Sequence, residues 1–184
     1  MIHDFSKKLE FSLDARQQFD ISILKNIYDY ADIQKTSAEV DKTGVDYVAT
    51  LRRGGVINID AKTREKGASR YWKYGEPELA LEIWSAVPTP TNSGKTGWTL
   101  DESSQVDYIL YTFDSSDTNK FYYLPFQMLR VGFVKHYKDW KKEYPVKRQY
   151  SNNWTSEAVF VPASVVIAEI NRQMTGIAYY QYSV

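Results

Sequence analysis

The stretch Val45 to Thr63, VDYVATLRRGGVINIDAKT, limits this chain's folding more than any other. Two β-rich runs flank a turn at Arg52, Arg53, Gly54 and Gly55. In the second run Ile57, Ile59 and Ala61 fall on one face, and Asn58, Asp60 and Lys62 on the other. Burying one face hides the isoleucines and sets Asp60 beside Lys62. Asp46 opens the first run, two residues after Gly44. Residues directly opposite each other in paired strands share a face. Asp46 lies opposite Asp60 only if the loop is Arg52-Arg53-Gly54, with glycine at the left-handed position. A two-residue loop at Arg53-Gly54 would put Asp46 opposite Ala61, on the other face. An odd loop or a bulge therefore gathers two acids and a lysine at one end of a sheet.

A chain of 184 residues can bury a real core and is expected to form one domain, 1–184. Its 23 basic and 23 acidic residues cancel. Proteins that coat nucleic acid nonspecifically are usually basic, so any DNA contact must come from local patches. The absence of cysteine excludes disulfides, thiolate metal sites and cysteine nucleophiles. His3 and His136 are the two histidines, which leaves almost no material for a histidine metal site or a Ser-His-Asp triad. The start, MIHDFSKKLEF, lacks a signal-peptide apolar region, and no apolar run is long enough to span a bilayer. The expectation is a soluble, cytoplasmic protein with no membrane partner.

Ser12 is expected to cap a helix running to about Tyr30, with Phe19, Ile23, Ile27 and Tyr30 as its apolar stripe and Leu24 and Ala31 beside it. Asp14, Asp20 and Asp29 lie off that stripe, and each reads first as part of a solvated face. Residues 33–43 read as an irregular segment leading into Gly44, with Glu39 and Asp41 near the site or solvated. After the hairpin, Lys62, Arg64, Lys66, Arg70 and Lys73 interleave with Tyr71, Trp72 and Tyr74. That segment is either a phosphate-contacting loop or an ordinary solvated one.

Residues 78–87 read as a strand with Leu79, Leu81, Ile83 and Val87 on one face and Glu82 and Trp84 on the other. An acid in so apolar a strand meets a cation, such as a metal or Lys62, or faces water at a sheet edge. Residues 88–98, rich in Pro, Gly, Ser and Thr, read as a mobile flap. They do not form a P-loop, because the upstream glycine is missing. Residues 107–113 and 120–124 form a second hairpin. Pro125 opens a helix to about Tyr144, with Phe126, Leu129, Phe133, His136 or Tyr137, and Trp140 recurring at helical spacing. Arg130, Lys135, Lys138, Lys141 and Lys142 occupy its far face, and Lys147 and Arg148 follow. This second basic patch is a solvated face or shares a DNA-binding face with the first. Residues 156–161 read as a strand, Pro162 opens a helix to about Met174, and the end is an edge strand or a partner-binding tail.

Gly44-Val45-Asp46 followed by Asp60-Ala61-Lys62 resembles the PD-(D/E)XK nuclease superfamily of restriction endonucleases, Holliday-junction resolvases and phage nucleases. Val45 occupies the proline position. The resemblance covers roughly Ser12 to Phe126. It implies an α/β fold, a restriction-endonuclease-like mixed sheet flanked by helices, and metal-dependent hydrolysis of DNA phosphodiesters. Asp46, Asp60, Lys62 and Glu82 would then form the catalytic set. Asp46, Asp60 and the Ala61 carbonyl would hold Mg²⁺, with Mn²⁺ as a substitute. The metal would lower the pKa of a bound water, and Lys62 would position that water or neutralise the phosphate. Arg64, Lys66, Arg70, Lys73, Lys138 and Lys142 are the candidate nucleic-acid contacts, DNA is the implied partner, and a homodimer is compatible with all of this. An acid on the first helix joins the metal site in some such families. The competing readings are a catalytically silent module of the same fold, binding nucleic acid or a protein, and a structural protein whose acids only pair with lysines.

Overall fold

The computed structural model describes residues 5–37, 44–64, 67–114, 117–118, 120–150 and 154–181, with backbone alone for 5–15, 71 and 176–181. Lys66, Glu39, Asp41 and the side chains of Ser12 and Asp14 lie outside the described residues. The chain is mixed α/β, with two sheets and, among the described residues, three α-helices.

Helix α1 (Phe5–Ile27) starts earlier and stops sooner than the apolar stripe suggests. Strand β1 (Tyr30–Lys35) follows, taking the first part of the segment expected to be irregular. Strands β2 (Tyr47–Leu51) and β3 (Val56–Arg64) form the hairpin. Its loop is the three-residue one: Leu51 N–H donates to the Gly55 carbonyl (3.1 Å), and Gly54 has φ 87°. A side chain at Gly54 would be strained in that left-handed conformation.

The chain then forms a 3-10 turn (Ala68–Tyr71), β4 (Glu78–Ala86) and the two-residue β5 (Lys95–Thr96). Strands β6 (Tyr108–Phe113) and β7 (Tyr122–Pro125) make the second hairpin, antiparallel as expected. Helix α2 (Phe126–Glu143) buries Phe126, Leu129, Phe133 and Trp140, the stripe read from its spacing. Strand β8 (Val146–Tyr150) falls in the basic segment after α2, where no strand was expected. Strand β9 (Thr155–Pro162) leads into α3 (Ala163–Gln181), which continues well past Met174. The end of the chain is thus helical through Gln181, not an edge strand.

The first sheet has the order β1-β2-β3-β6-β7, antiparallel except for the parallel pair β3 and β6. The second has the order β5-β4-β9-β8 and is antiparallel throughout. The connection from β3 to β6 therefore passes through the second sheet. Helix α1 covers one face of the first sheet, where Ile23 and Leu24 pack with Tyr30, Tyr47, Ala49, Ile59 and Leu110. The opposite face joins the larger core, where Ile109, Tyr111 and Phe113 meet Leu79, Leu81 and Ile83 of β4 and Val159 and Val161 of β9. Helices α2 and α3 contribute Phe133, Trp140, Val166 and Ile170 to the same core. The first sheet is thus covered on both faces, whereas the hairpin pattern alone suggested one buried face.

Candidate functional site

Strand β3 alternates as its sequence dictates. Ile59 is buried on the α1 side with Ile57 and Ala61 packed beside it. Asp60 points the other way and is 3 % exposed. A carboxylate so buried needs a partner, and Lys62 Nζ donates to Asp60 Oδ1 at 2.7 Å. The ammonium also lies 5.6 Å from the Trp98 ring centroid. Asp60 lines a cavity of about 530 Å³ together with Gly44, Ser85, Lys95, Thr96, Trp98 and Phe126.

The segment expected to be a mobile flap lies against this cavity and is tied to β4. Gly97 N–H donates to the Ile83 carbonyl (2.9 Å), and Lys95 and Thr96 pair with Ala86 and Trp84. A Cβ at position 97 would run into the Glu82 backbone carbonyl, so glycine is what allows Trp98 to be held this close to β4.

Asp46 reaches the same strand differently. Its N–H donates to the Ile59 carbonyl (2.9 Å) although Tyr47 is already paired with Ile59. Two consecutive residues of one strand thus meet one residue of its neighbour, as in a β-bulge. The Asp46 carboxylate accepts the Ala61 N–H (2.7 Å), so it lies against the backbone that directly follows Asp60. It lines a smaller cavity with Arg16, Asp20, Lys35, Tyr47 and Ala61. The two carboxylates meet β3 one residue apart but line different cavities.

The helix acid beside Asp46 is Asp20. It is 2 % exposed and accepts the Tyr47 hydroxyl (3.0 Å) through Oδ2, while Oδ1 is buried with no hydrogen-bond partner. Burial pushes its carboxyl above the usual range; the Asp46 charge adds to this, and Tyr47, Arg16 and Lys35 pull it back. Burial and the Asp20 carboxylate in turn push the Tyr47 hydroxyl up. The sequence reading set Asp20 off the stripe and missed it, although it stands three, four and seven residues before Ile23, Leu24 and Ile27, within the face that packs. Phe19, placed on the stripe by sequence, is 48 % exposed. Asp29 is exposed and pairs with Arg52 (2.6 Å).

Glu82 is half-buried and accepts the Ser85 hydroxyl (2.7 Å) and the Trp98 N–H (3.3 Å) through Oε2. It shares with Lys62 a third cavity, between the sheets. Among the described residues, no three His, Asp or Glu side chains form a group that could hold a metal ion.

The basic residues separate into groups. Arg64 faces the cavity between the sheets, with Lys147 and Arg148 of β8. Arg70 and Lys73 are exposed, Lys73 lying 5.5 Å from the Tyr74 ring centroid. Tyr74 in turn packs edge-on against Tyr144 at the end of α2. On α2, Lys138 is exposed and Lys142 pairs with Asp139 (2.9 Å). His136 stacks on Trp140 and lies 3.3 Å from Glu169, so it belongs to the packing of α2 against α3. Burial and the Lys135 charge lower its pKa. No described helix is long and apolar enough to cross a membrane. Compared with protein-family models, curated proteins and solved structures, the chain matches none.

Proposed function

We propose that this chain is a metal-dependent DNA endonuclease of the PD-(D/E)XK kind, with a restriction-endonuclease-like fold. The observation that carries the reading is the bulge at Asp46. It holds one carboxylate on the Ala61 N–H, against the backbone of the Asp60-Ala61-Lys62 motif, while Lys62 holds the other (2.7 Å). In this reading Asp46, Asp60 and the Ala61 carbonyl would hold Mg²⁺ or Mn²⁺, which would supply an activated water for hydrolysis of the phosphodiester. Lys62 neutralises charge on the phosphate, Glu82 orders the Trp98 loop beside it, and Arg64, Arg70, Lys73, Lys138 and Lys142 receive the DNA backbone.

The deciding experiment incubates linear, supercoiled and branched DNA with the protein in Mg²⁺ or EDTA. Metal-dependent cleavage is expected from the wild type, with a loss of orders of magnitude in Asp60→Asn. Asp60 is buried against Lys62, so the same change should also cost about 1–3 kcal/mol in a metal-free melt. A destabilised Asp60→Asn protein that cuts at the wild-type rate would end the mechanism. A second reading, a silent module of the same fold that binds nucleic acid or a protein, is favoured by one observation: Asp46 and Asp60 line separate cavities. It predicts no cleavage under any metal condition.

A further inference from the structure

The cavity of about 530 Å³ that has Asp60 in its wall falls within the range, roughly 300–1,000 Å³, of pockets for small organic ligands. Its lining is not that of a phosphate groove. Among the described residues its one cation is Lys95, set against the acids Asp60 and Asp101. The rest is neutral: hydroxyl groups, the Gln105 side chain and the aromatic walls Trp98 and Phe126. The walls are also fixed. Thr99, fully buried, donates through its hydroxyl to the Glu82 carbonyl, and Gly97 lies too close to that carbonyl to carry a side chain. Arg130 of α2 holds Glu102 (2.9 Å), and Asn58 Nδ2 holds the Gln105 carbonyl (3.0 Å). A pocket held in this way binds a ligand without first ordering a loop.

Asp101 gives the pocket its chemical preference. Its Oδ1 accepts both the N–H (2.9 Å) and the hydroxyl (2.7 Å) of Ser103. Its Oδ2 accepts from no described residue, and it is not among the polar atoms sealed from solvent. With Asp60 beside it, a free carboxylate oxygen repels phosphate and takes an N–H donor. In a DNA chain the base is the uncharged, flat part whose edge carries donors and acceptors. An exocyclic amino group suits Oδ2, and the O4 carbonyl of thymine does not. A paired base has its edge engaged and cannot enter a concave site, so the occupant must be unpaired. Leaving the stack costs least where the base is already out of it.

We propose that this cavity receives one unpaired nucleotide beside the scissile phosphate, and that Asp101 selects a base with an exocyclic amino group. The DNA substrate is that of the nuclease reading above, on which this inference rests, so binding and cutting are measured apart. The test is fluorescence anisotropy of the full chain in EDTA with labelled duplexes, fully paired or carrying one unpaired cytosine or thymine. Unpaired cytosine should bind about tenfold tighter than the paired duplex and several-fold tighter than unpaired thymine. Asp101→Asn keeps the Ser103 bonds only with its amide oxygen at the Oδ1 position, which turns its NH₂ group to the ligand. The variant should therefore reverse the order of cytosine and thymine, a change that a purely structural role would not produce. Equal binding of paired and unpaired duplexes overturns the pocket. So does an unchanged order in a folded Asp101→Asn protein. If that variant fails to fold, Gln105→Ala replaces it and should cut the advantage of unpaired DNA several-fold; an undiminished advantage overturns the pocket. The same DNAs in Mg²⁺ separate the two readings. Cutting without any preference for the unpaired duplex removes the pocket and leaves the nuclease standing. A preference without cutting upholds the pocket in a silent module and removes the nuclease.

Discussion

A single carboxylate, Asp20, shows how burial rewrites a sequence reading. The helix pattern set it aside as one of three acids off the stripe, yet it lies beneath Tyr47 and next to Asp46. Its carboxyl is pushed above its ordinary value of 3.8, chiefly by burial. The folded protein therefore holds that proton more tightly than the unfolded chain. Its ionisation costs stability, increasingly as pH rises from the unfolded value through the raised folded one. Asp20→Asn keeps an acceptor for Tyr47 and removes the charge. The variant should melt higher than wild type at pH 7, and the gain should vanish as melts are taken down toward pH 3.8. A gain independent of pH would show that the charge is not the cause. For Asp46 the three-residue loop that Gly54 allows was readable and is present, but a bulge makes Asp46 meet Ile59 together with Tyr47 rather than stand opposite Asp60. Its turn onto the Ala61 N–H was not readable, since a strand pattern assigns faces and cannot show a bulge that lays a carboxylate along the neighbouring backbone.

Elements with one dry face were legible, and those without were not. Strands β4 and β9 and helix α2 carry clear apolar periodicity and appear where expected. Strand β8, VKRQY, is exposed along its whole length and carries no alternation to read. It is held by its ladder with β9 and by Glu157, whose carboxylate takes both Lys141 (2.8 Å) and Arg148 (2.8 Å). Burial works to raise the Glu157 pKa, but the two cations outweigh it and hold the carboxyl below its usual range. The stability it contributes is present above the unfolded value of 4.5 and is lost as pH falls through the folded one. Glu157→Gln should cost about 1–2 kcal/mol, modest because both cations are partly solvated, and should flatten that acid limb. Urea midpoints measured from pH 7 down to pH 3 check both expectations.

At the scale of the whole molecule, the sequence pointed to a mixed sheet but not to a second one. Residues 78–87 alternate equally well whichever sheet they join, and only tertiary pairing decides. Tyr111 ties the two sheets: it lies in β6, is 2 % exposed, and its hydroxyl oxygen accepts the Ala80 N–H of β4 (2.8 Å). Burial pushes the hydroxyl pKa up to about 12, so it stays protonated through the neutral range. Tyr111→Phe leaves the Ala80 donor without that acceptor and should cost about 1–3 kcal/mol in chemical denaturation. An unchanged midpoint would show that the sheets do not lean on this contact.

The path of the chain between β3 and β6 has a kinetic consequence. The chain leaves the first sheet before the parallel pair β3 and β6 is closed, and β4 gains its main partner, β9, only much later in the sequence. During synthesis, β4 emerges with two-residue β5 as its early neighbour and an apolar face still uncovered. Such long-range pairing is slow, because distant segments must meet before any contact rewards them. A nascent chain stalled before Thr155 would therefore be the aggregation-prone species, and release of β9 the event that ends the exposure.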